Sequence, residues 1–349
     1  MSTALTIVKR EPFNAETGPG QLEPEVTPSN SFYVRCHFAL PPVEQARASL
    51  HIGGTVERPL TLGLDELRSL GPRSVVSTME CAGNGRTALA PLAGGEPWGT
   101  HAVATARWTG VPLRAVLERA GLAADTREIL ATGADSGQPE DAPAVLAYQR
   151  GLPLGKALDP DTLVAWDMNE SPLALEHGAP LRLIVPDWYG MASVKWLTRL
   201  EARQTPFDGY YQVQRYVYDL ADGSPPTPVT TMRVKSLIVS PSDGARVGAR
   251  PLTVRGKAWS GAGEIVKVEV APRGGDAWEE ARLVGAPSPH AWTAFEYSWQ
   301  PPAPGRHVLR VRATDSAGNQ QPAIGEWNRH GYGSHAVRLH VLEVEADGE

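Results

Sequence analysis

The strongest constraint on the fold is a change of pattern near residue 220 of this 349-residue chain. The stretch Asp219-Leu220-Ala221-Asp222-Gly223-Ser224-Pro225-Pro226 gathers turn formers and reads as a linker. Beyond it helical spacing disappears. Short apolar runs take over at Leu237–Val239, Leu252–Val254, Ile265–Val270, Trp292–Trp299, His307–Arg312 and Ala336–Val344. Ser240-Pro241-Ser242-Asp243-Gly244 and Asp315-Ser316-Ala317-Gly318-Asn319 separate them as turns. Short strands spaced in this way predict a β-sandwich over residues 232–345, one without the Cys–Trp–Cys signature of antibody domains.

Residues 31–225 carry a mixed pattern instead. Leu113, Val116, Leu117 and Ala120 recur at helical spacing, with Pro112 at the first turn and Gly121 as the stop. Leu181–Val185 reads as a strand closed by Pro186. The Gly and Pro between elements mark long loops, where binding sites are often built. The expected fold class is therefore α+β, a mixed α/β domain followed by an all-β one, and the length is too great for one typical core. Residues 1–30, polar and rich in Glu, Pro and Gly, read as an extended arm. They show no apolar signal core and no twin arginine, so a cytoplasmic location is expected. No run approaches the ~18 apolar residues of a membrane span. A net charge of -6 argues against a nucleic-acid partner.

Chemistry concentrates at Cys81, in Thr78-Met79-Glu80-Cys81-Ala82-Gly83-Asn84-Gly85-Arg86. Cys36 is the only other cysteine, so there is no CxxC pair and no local sequence for c-type haem or an iron–sulfur cluster. Small and polar neighbours are expected to leave the Cys81 thiol accessible, and Arg86 to favour its thiolate. A thiolate is both a nucleophile and a soft metal ligand. The ordinary alternative for a lone cysteine is a small buried core residue.

Five stretches, in order, resemble the sulfite oxidase family of molybdenum-cofactor enzymes. They are Phe32-Tyr33-Val34-Arg35-Cys36-His37; Glu80-Cys81-Ala82-Gly83-Asn84; Thr105-Ala106-Arg107-Trp108-Thr109-Gly110; His177-Gly178-Ala179-Pro180-Leu181-Arg182, continuing through Gly190 to Val194-Lys195-Trp196-Leu197; and Glu326-Trp327-Asn328. The likeness covers nearly the whole chain and does not include the family's attached haem domain. It implies Mo-molybdopterin, one molybdenum per chain, with Cys81 as the one protein ligand to the metal. It implies cofactor contacts from Tyr33, Arg35, His37, Asp135, His177, Arg182, Ser193, Val194 and Lys195. Those residue types suit the guest, because a dithiolene-bearing pterin with a terminal phosphate is a large anion, met by charge and hydrogen bonds. Substrate contacts are implied for Arg35, Arg107, Trp98, Tyr216 and His330. An immunoglobulin-like C-terminal domain that mediates a homodimer is implied as well. Taken singly, each residue has a blander reading, such as a solvated arginine or a turn aspartate.

Two cations of the family pocket are missing at their matching positions. Gly94 stands where a lysine precedes Pro97-Trp98, and His330 stands where an arginine follows Trp327-Asn328, with Arg329 one place away. Cys36 occupies a position where the family often has Asn. The implied reaction is oxidation of sulfite to sulfate by oxygen-atom transfer at molybdenum, with electrons passing to an external acceptor. The thinner cation set leaves reductive oxygen transfer, as with nitrate or a sulfoxide, as the alternative. A cysteine-nucleophile hydrolase would need a base and an oxyanion hole that no pattern supplies. A purely binding protein built on the sandwich would leave the first 220 residues without a task.

Overall fold

The computed structural model describes residues 4–42 and 49–346. β-structure dominates. Among the described residues the longest helix is Leu113–Ala120, only eight residues, so the helical part of the expected mixture is thin. That helix forms where the spacing predicts it: Leu113, Val116, Leu117 and Ala120 are all buried, and Gly121 ends it at φ 72°.

Two five-stranded sheets build the first part of the chain. One runs Ser171–Pro172, Leu163–Met168, Val103–Pro112, Arg73–Glu80, with Arg182–Ile184 also paired to Leu163–Met168. The other runs Leu60–Gly63, Ser49–Gly54, Leu197–Arg203, Glu128–Gly137, Leu146–Pro153, and contains one parallel pairing, between Leu197–Arg203 and Ser49–Gly54. The N-terminal segment is built into the fold instead of trailing as an arm. Leu5–Lys9 pairs with Asn14–Thr17, which pairs with Val34–Arg35, and Asn14 to Thr17 are buried. Residues 1–3 of that segment lie outside the described residues.

Beyond the linker, a four-stranded sheet (Lys235–Ser240, Leu252–Trp259, Thr293–Trp299, Arg282–Val284) and a five-stranded one (Ala245–Gly248, Leu339–Glu345, Gly305–Asp315, Ile265–Ala271, Glu279–Glu280) share one apolar core. Ile238, Val254 and Phe295 come from the first sheet, and Val268, Leu309, Val311 and Leu342 from the second.

The two parts are joined by apolar packing and by a polar latch. Trp259 and Trp292 belong to the same buried cluster as Val164 and Tyr189 of the first part. His290 sits between two carboxylates, with Nδ1 2.7 Å from Asp187 and Nε2 3.2 Å from Asp161. Arg73 pairs with Asp161 at 2.7 Å and Lys156 lies 3.7 Å from Asp187. Asp187 and His290 both take positive φ, 70° and 64°, a costly backbone state for non-glycine residues that their mutual contact helps to hold. Burial opposes the charged imidazole, but Asp187 and Asp161 outweigh it and raise the His290 pKa above 6.5. The sign follows. This stabilisation is complete below the unfolded value of about 6.5 and is lost as pH rises through the raised folded value. His290→Gln is therefore expected to lower the melting temperature markedly at about pH 5.5 and much less at about pH 9. Thermal unfolding across that range checks it, and a pH-independent deficit refutes the latch.

Candidate active site

Strand periodicity builds the site. On Arg73–Glu80 side chains alternate, so Met79 and the following Cys81 face a cavity in the first part of the chain. Thr78 and Glu80 face the C-terminal sheets, where Thr78 Oγ1 accepts from the Trp292 N–H at 2.7 Å. Arg35, His37, Cys81 and Tyr216 stand where an inner chamber meets an open mouth, and line both.

The inner chamber gathers Tyr33, Asp135, His177, Arg182, Ser193 and Lys195 from distant segments. Arg182 is buried over the Trp108 ring at 4.7 Å, and donates to the carbonyls of His177 at 2.8 Å and Ser193 at 3.2 Å. Burial lowers its pKa to about 10, the mark of a desolvated cation with no carboxylate against it. Lys195 Nζ lies 2.8 Å from the Glu176 carbonyl and 3.2 Å from Cys36 Sγ, and burial lowers its pKa too. That contact supplies a structural role for Cys36. His177 Nε2 lies 3.0 Å from the Ser29 carbonyl, which can only accept, so the proton is on Nε2 and Nδ1 is free to accept. Burial, then Lys195 and Arg182, lower the His177 pKa to about 3, keeping the ring neutral. Asp135 is buried, and its pKa is raised to about 6 by that burial. Its Oδ1 and the Arg182 Nε lack any hydrogen-bond partner.

Those two orphaned buried atoms test whether a molybdopterin fits. Buried polar atoms are ordinarily satisfied, so an unpaired carboxylate oxygen and an unpaired guanidinium nitrogen on two residues that line the chamber suit a polar guest. Arg35, Arg182 and Lys195 outweigh the two carboxylates lining the chamber, Asp135 and Glu176, which favours an anionic one. The residues present fit the group.

The mouth is lined by Lys9, Arg86, Glu96, Trp98, Asp141, Arg215, Arg329, His330 and Tyr332, among others. Arg86 is buried, its Nε donating to the His330 carbonyl at 3.0 Å and its guanidinium 5.5 Å from the Tyr332 ring centre. Gly83 and Gly95 leave it room, since a Cβ on either would meet its guanidinium at 2.5 and 3.1 Å. Arg215 Nη1 lies 3.1 Å from His330 Nδ1, Nε is 2.8 Å from the Tyr210 hydroxyl, and Nη2 is paired with Asp141. Arginine only donates, so His330 Nδ1 accepts and its neutral ring carries the proton on Nε2. Burial, then Arg215, depress the His330 pKa, so it is a neutral donor at neutral pH.

Several expectations need correction. Arg107 is exposed, 4.0 Å from Glu170, and lines neither chamber nor mouth. Its neighbour Trp108 lies under Arg182, and alternation along Val103–Pro112 turns Arg107 the other way. Val194 is a core residue outside the cavity. Its N–H donates to the Ala192 carbonyl at 3.1 Å and its own carbonyl accepts from Leu183 at 2.7 Å, so both backbone groups are engaged within the fold. Cys81 is only 8% exposed, so its thiol is reached from within the cavity and not from the outer surface. Burial pushes its thiol up, while Arg35, the Gly83 N–H and Arg86 pull it back toward thiolate. Trp98, by contrast, is buried yet does line the mouth. Arg329, with 75% of its side chain exposed, points to Asp219 at 3.6 Å.

Two mouth cations were missed by sequence reasoning. Lys9, held by Glu96 at 3.3 Å, comes from the N-terminal hairpin to the rim that Gly94 leaves bare. Arg215 brings a guanidinium to His330. Its place next to Tyr216 was the available signal for it; for Lys9 there was none.

Comparisons with known proteins agree with this architecture. Residues 37–211 match the model of the oxidoreductase molybdopterin binding domain, and residues 227–341 that of the Mo-co oxidoreductase dimerisation domain. A sulfite oxidase of Gallus gallus is 35% identical over 94% of this chain and 75% of its own length. The mitochondrial sulfite oxidase of Mus musculus is 33% identical over 98% of this chain, which spans 66% of that protein. The crystal structure of the sulfane dehydrogenase SoxCD from Paracoccus pantotrophus superposes with a TM-score of 0.82 at 29% identity, over 93% of this chain and 84% of that one. Fold and site together define a molybdopterin oxidoreductase. The chain belongs to the sulfite oxidase family.

Proposed function

We propose that this protein oxidises sulfite to sulfate and passes the electrons to an acceptor outside the chain. The observation that carries the reading is the junction at Cys81. One soft ligand, flanked by Arg35, His37 and Tyr216, separates a chamber lined by Arg35, Arg182 and Lys195 from a cation-lined mouth. The bound cofactor supplies oxygen-atom transfer and a two-electron redox change. Cys81 would hold the metal. Arg182, Lys195 and Arg35 would neutralise phosphate and pterin charge, while Asp135 and His177 accept hydrogen bonds from the pterin. Tyr216, whose hydroxyl contacts His37 Nε2, would donate to the substrate from the mouth side. Arg35 and Arg86 would hold the oxyanion by charge-assisted hydrogen bonds, with His330 Nε2–H and Arg215 further out. Asp135 adds a pH term: its carboxyl is protonated below about pH 6 and accepts fully only above it.

Lys9 and Arg215 offset the cations missing at Gly94 and His330, so the mouth suits a small oxyanion. Sulfite is favoured because both curated relatives above are sulfite oxidases. The match of residues 227–341 to a dimerisation domain supports a homodimer, with the two C-terminal sheets forming an immunoglobulin-like sandwich.

Metal and pterin analysis followed by sulfite turnover with an artificial one-electron acceptor tests this. One molybdenum per chain is expected. Arg86→Gln removes charge-assisted contacts worth about 1.5–3 kcal/mol, so KM for sulfite should rise roughly tenfold to a hundredfold at unchanged cofactor content. Arg107→Ala should leave KM alone. Equal responses of the two variants would refute the placement of the anion. A molybdenum-loaded protein inert to sulfite would favour reductive oxygen transfer.

A further inference from the structure

Glu80 is adjacent to Cys81 in the chain and points the opposite way, into the C-terminal domain. It is buried and accepts from three donors: Lys235 Nζ at 2.7 Å and Asn84 Nδ2 at 2.9 Å on Oε1, and Trp259 Nε1 at 2.9 Å on Oε2. Lys235 and Trp259 end two neighbouring strands of the four-stranded sheet and are register partners in it. The same domain holds the backbone of the loop that follows. Gly333 N–H donates to the Ala82 carbonyl at 2.8 Å, Lys235 Nζ to Asn84 at 3.0 Å, and Arg338 Nη2 to Gly85 at 2.5 Å. Gly85 takes φ 91°, and a Cβ there would collide with the Arg338 guanidinium.

We infer that Lys235 and Trp259 are positioning residues for Cys81, acting through Glu80, so that the C-terminal domain is part of the metal site's scaffold as well as a dimerisation module. The inference rests on Cys81 being the metal ligand, as proposed above. The physical link is short. In extended backbone, consecutive side chains leave opposite faces of one strand, so anchoring the Glu80 carboxylate in three donors fixes the peptide between the two residues and with it the direction of the Cys81 Cα–Cβ bond. Groups that orient a ligand from behind alter activity or metal affinity about tenfold to a hundredfold when removed. Simple domain adhesion would not require donors on Glu80 and on the Ala82, Asn84 and Gly85 carbonyls of the Cys81 loop.

The test uses the intact, cofactor-loaded protein. Trp259→Phe keeps most of the ring volume and deletes only the Nε1–H donor; Lys235→Met deletes the ammonium. Each should speed amide exchange across residues 81–86 and change the paramagnetic signal of the half-reduced metal. Each should lower kcat for sulfite about tenfold or more with KM unchanged. Should Lys235→Met fail to fold, Trp259→Phe decides alone. A lowered melting temperature with wild-type kcat and wild-type metal signal would overturn the inference and leave a structural contact. If the wild-type protein carries no molybdenum, the proposed function fails, while unchanged exchange at 81–86 in Trp259→Phe would separately overturn the clamp.

Discussion

Cys81→Ser is expected to abolish turnover while the pterin stays bound. Serine puts a harder, less polarisable oxygen where a soft thiolate would meet molybdenum, and its hydroxyl is far less acidic than a thiol. Among the described residues no cluster of three His, Cys, Asp or Glu stands near Cys81 to replace it. The loss in kcat should exceed the roughly 10–100-fold that accompanies loss of an outer hydrogen-bond partner at a metal site. Pterin retention should survive, because Arg182, Lys195, His177 and Asp135 reach the chamber from other segments. Metal, pterin and steady-state kinetics on one preparation check all three statements. Residual activity within tenfold of wild type would exclude Cys81 as the metal ligand.

The largest effect on stability is expected at the Glu80–Lys235 pair. Only 4% of the Lys235 side chain and 2% of the Glu80 side chain are exposed. Burial lowers the Lys235 pKa even with Glu80 beside it, so the pair is held at a real desolvation cost. Glu80→Ala leaves a buried ammonium with only the Asn84 carbonyl for a partner, and should cost about 3–5 kcal/mol of unfolding free energy. The paired change Glu80→Gln with Lys235→Met removes both charges and should cost much less than the single replacement. Denaturant unfolding of the two variants checks this. A single variant as mild as the double would mean that water reaches the pair.

How much of this was legible beforehand depends on how far each interaction reaches along the chain. The helix 113–120, the strand ended by Pro186, and the strands beyond residue 232 follow from periodicity and turn residues, which act over a few positions. The thin helical content was less visible, because segments such as Leu154–Ala157 and Tyr210–Val213 are single turns stabilised by what they pack on. Tyr33, Arg35, His37, Cys81, Asp135, His177, Arg182, Ser193 and Lys195 all line the inner chamber, and Val194 does not.

At the mouth, Arg35, Trp98, Tyr216 and His330 stand on the lining and Arg107 does not. The resemblance assigned Arg107 to the pocket, but strand alternation sends its neighbour Trp108 inward beneath Arg182 and leaves Arg107 exposed. Lys9 and Arg215, remote in sequence from Gly94 and His330, line the same mouth with them.

The sequence alone determined the thiol, its flanking small residues, the stock of cations and the break between mixed and all-β halves, because these are properties of residue type and local spacing. Only the tertiary structure decided which arginines meet the cavity, that His330 is a neutral donor, that Cys36 partners Lys195, and that Glu80 is gripped from the C-terminal domain. The reason is physical. Burial, charge pairing and tautomer depend on which strands become neighbours, and those neighbours lie 155 positions apart for Glu80 and Lys235, and 159 for Cys36 and Lys195.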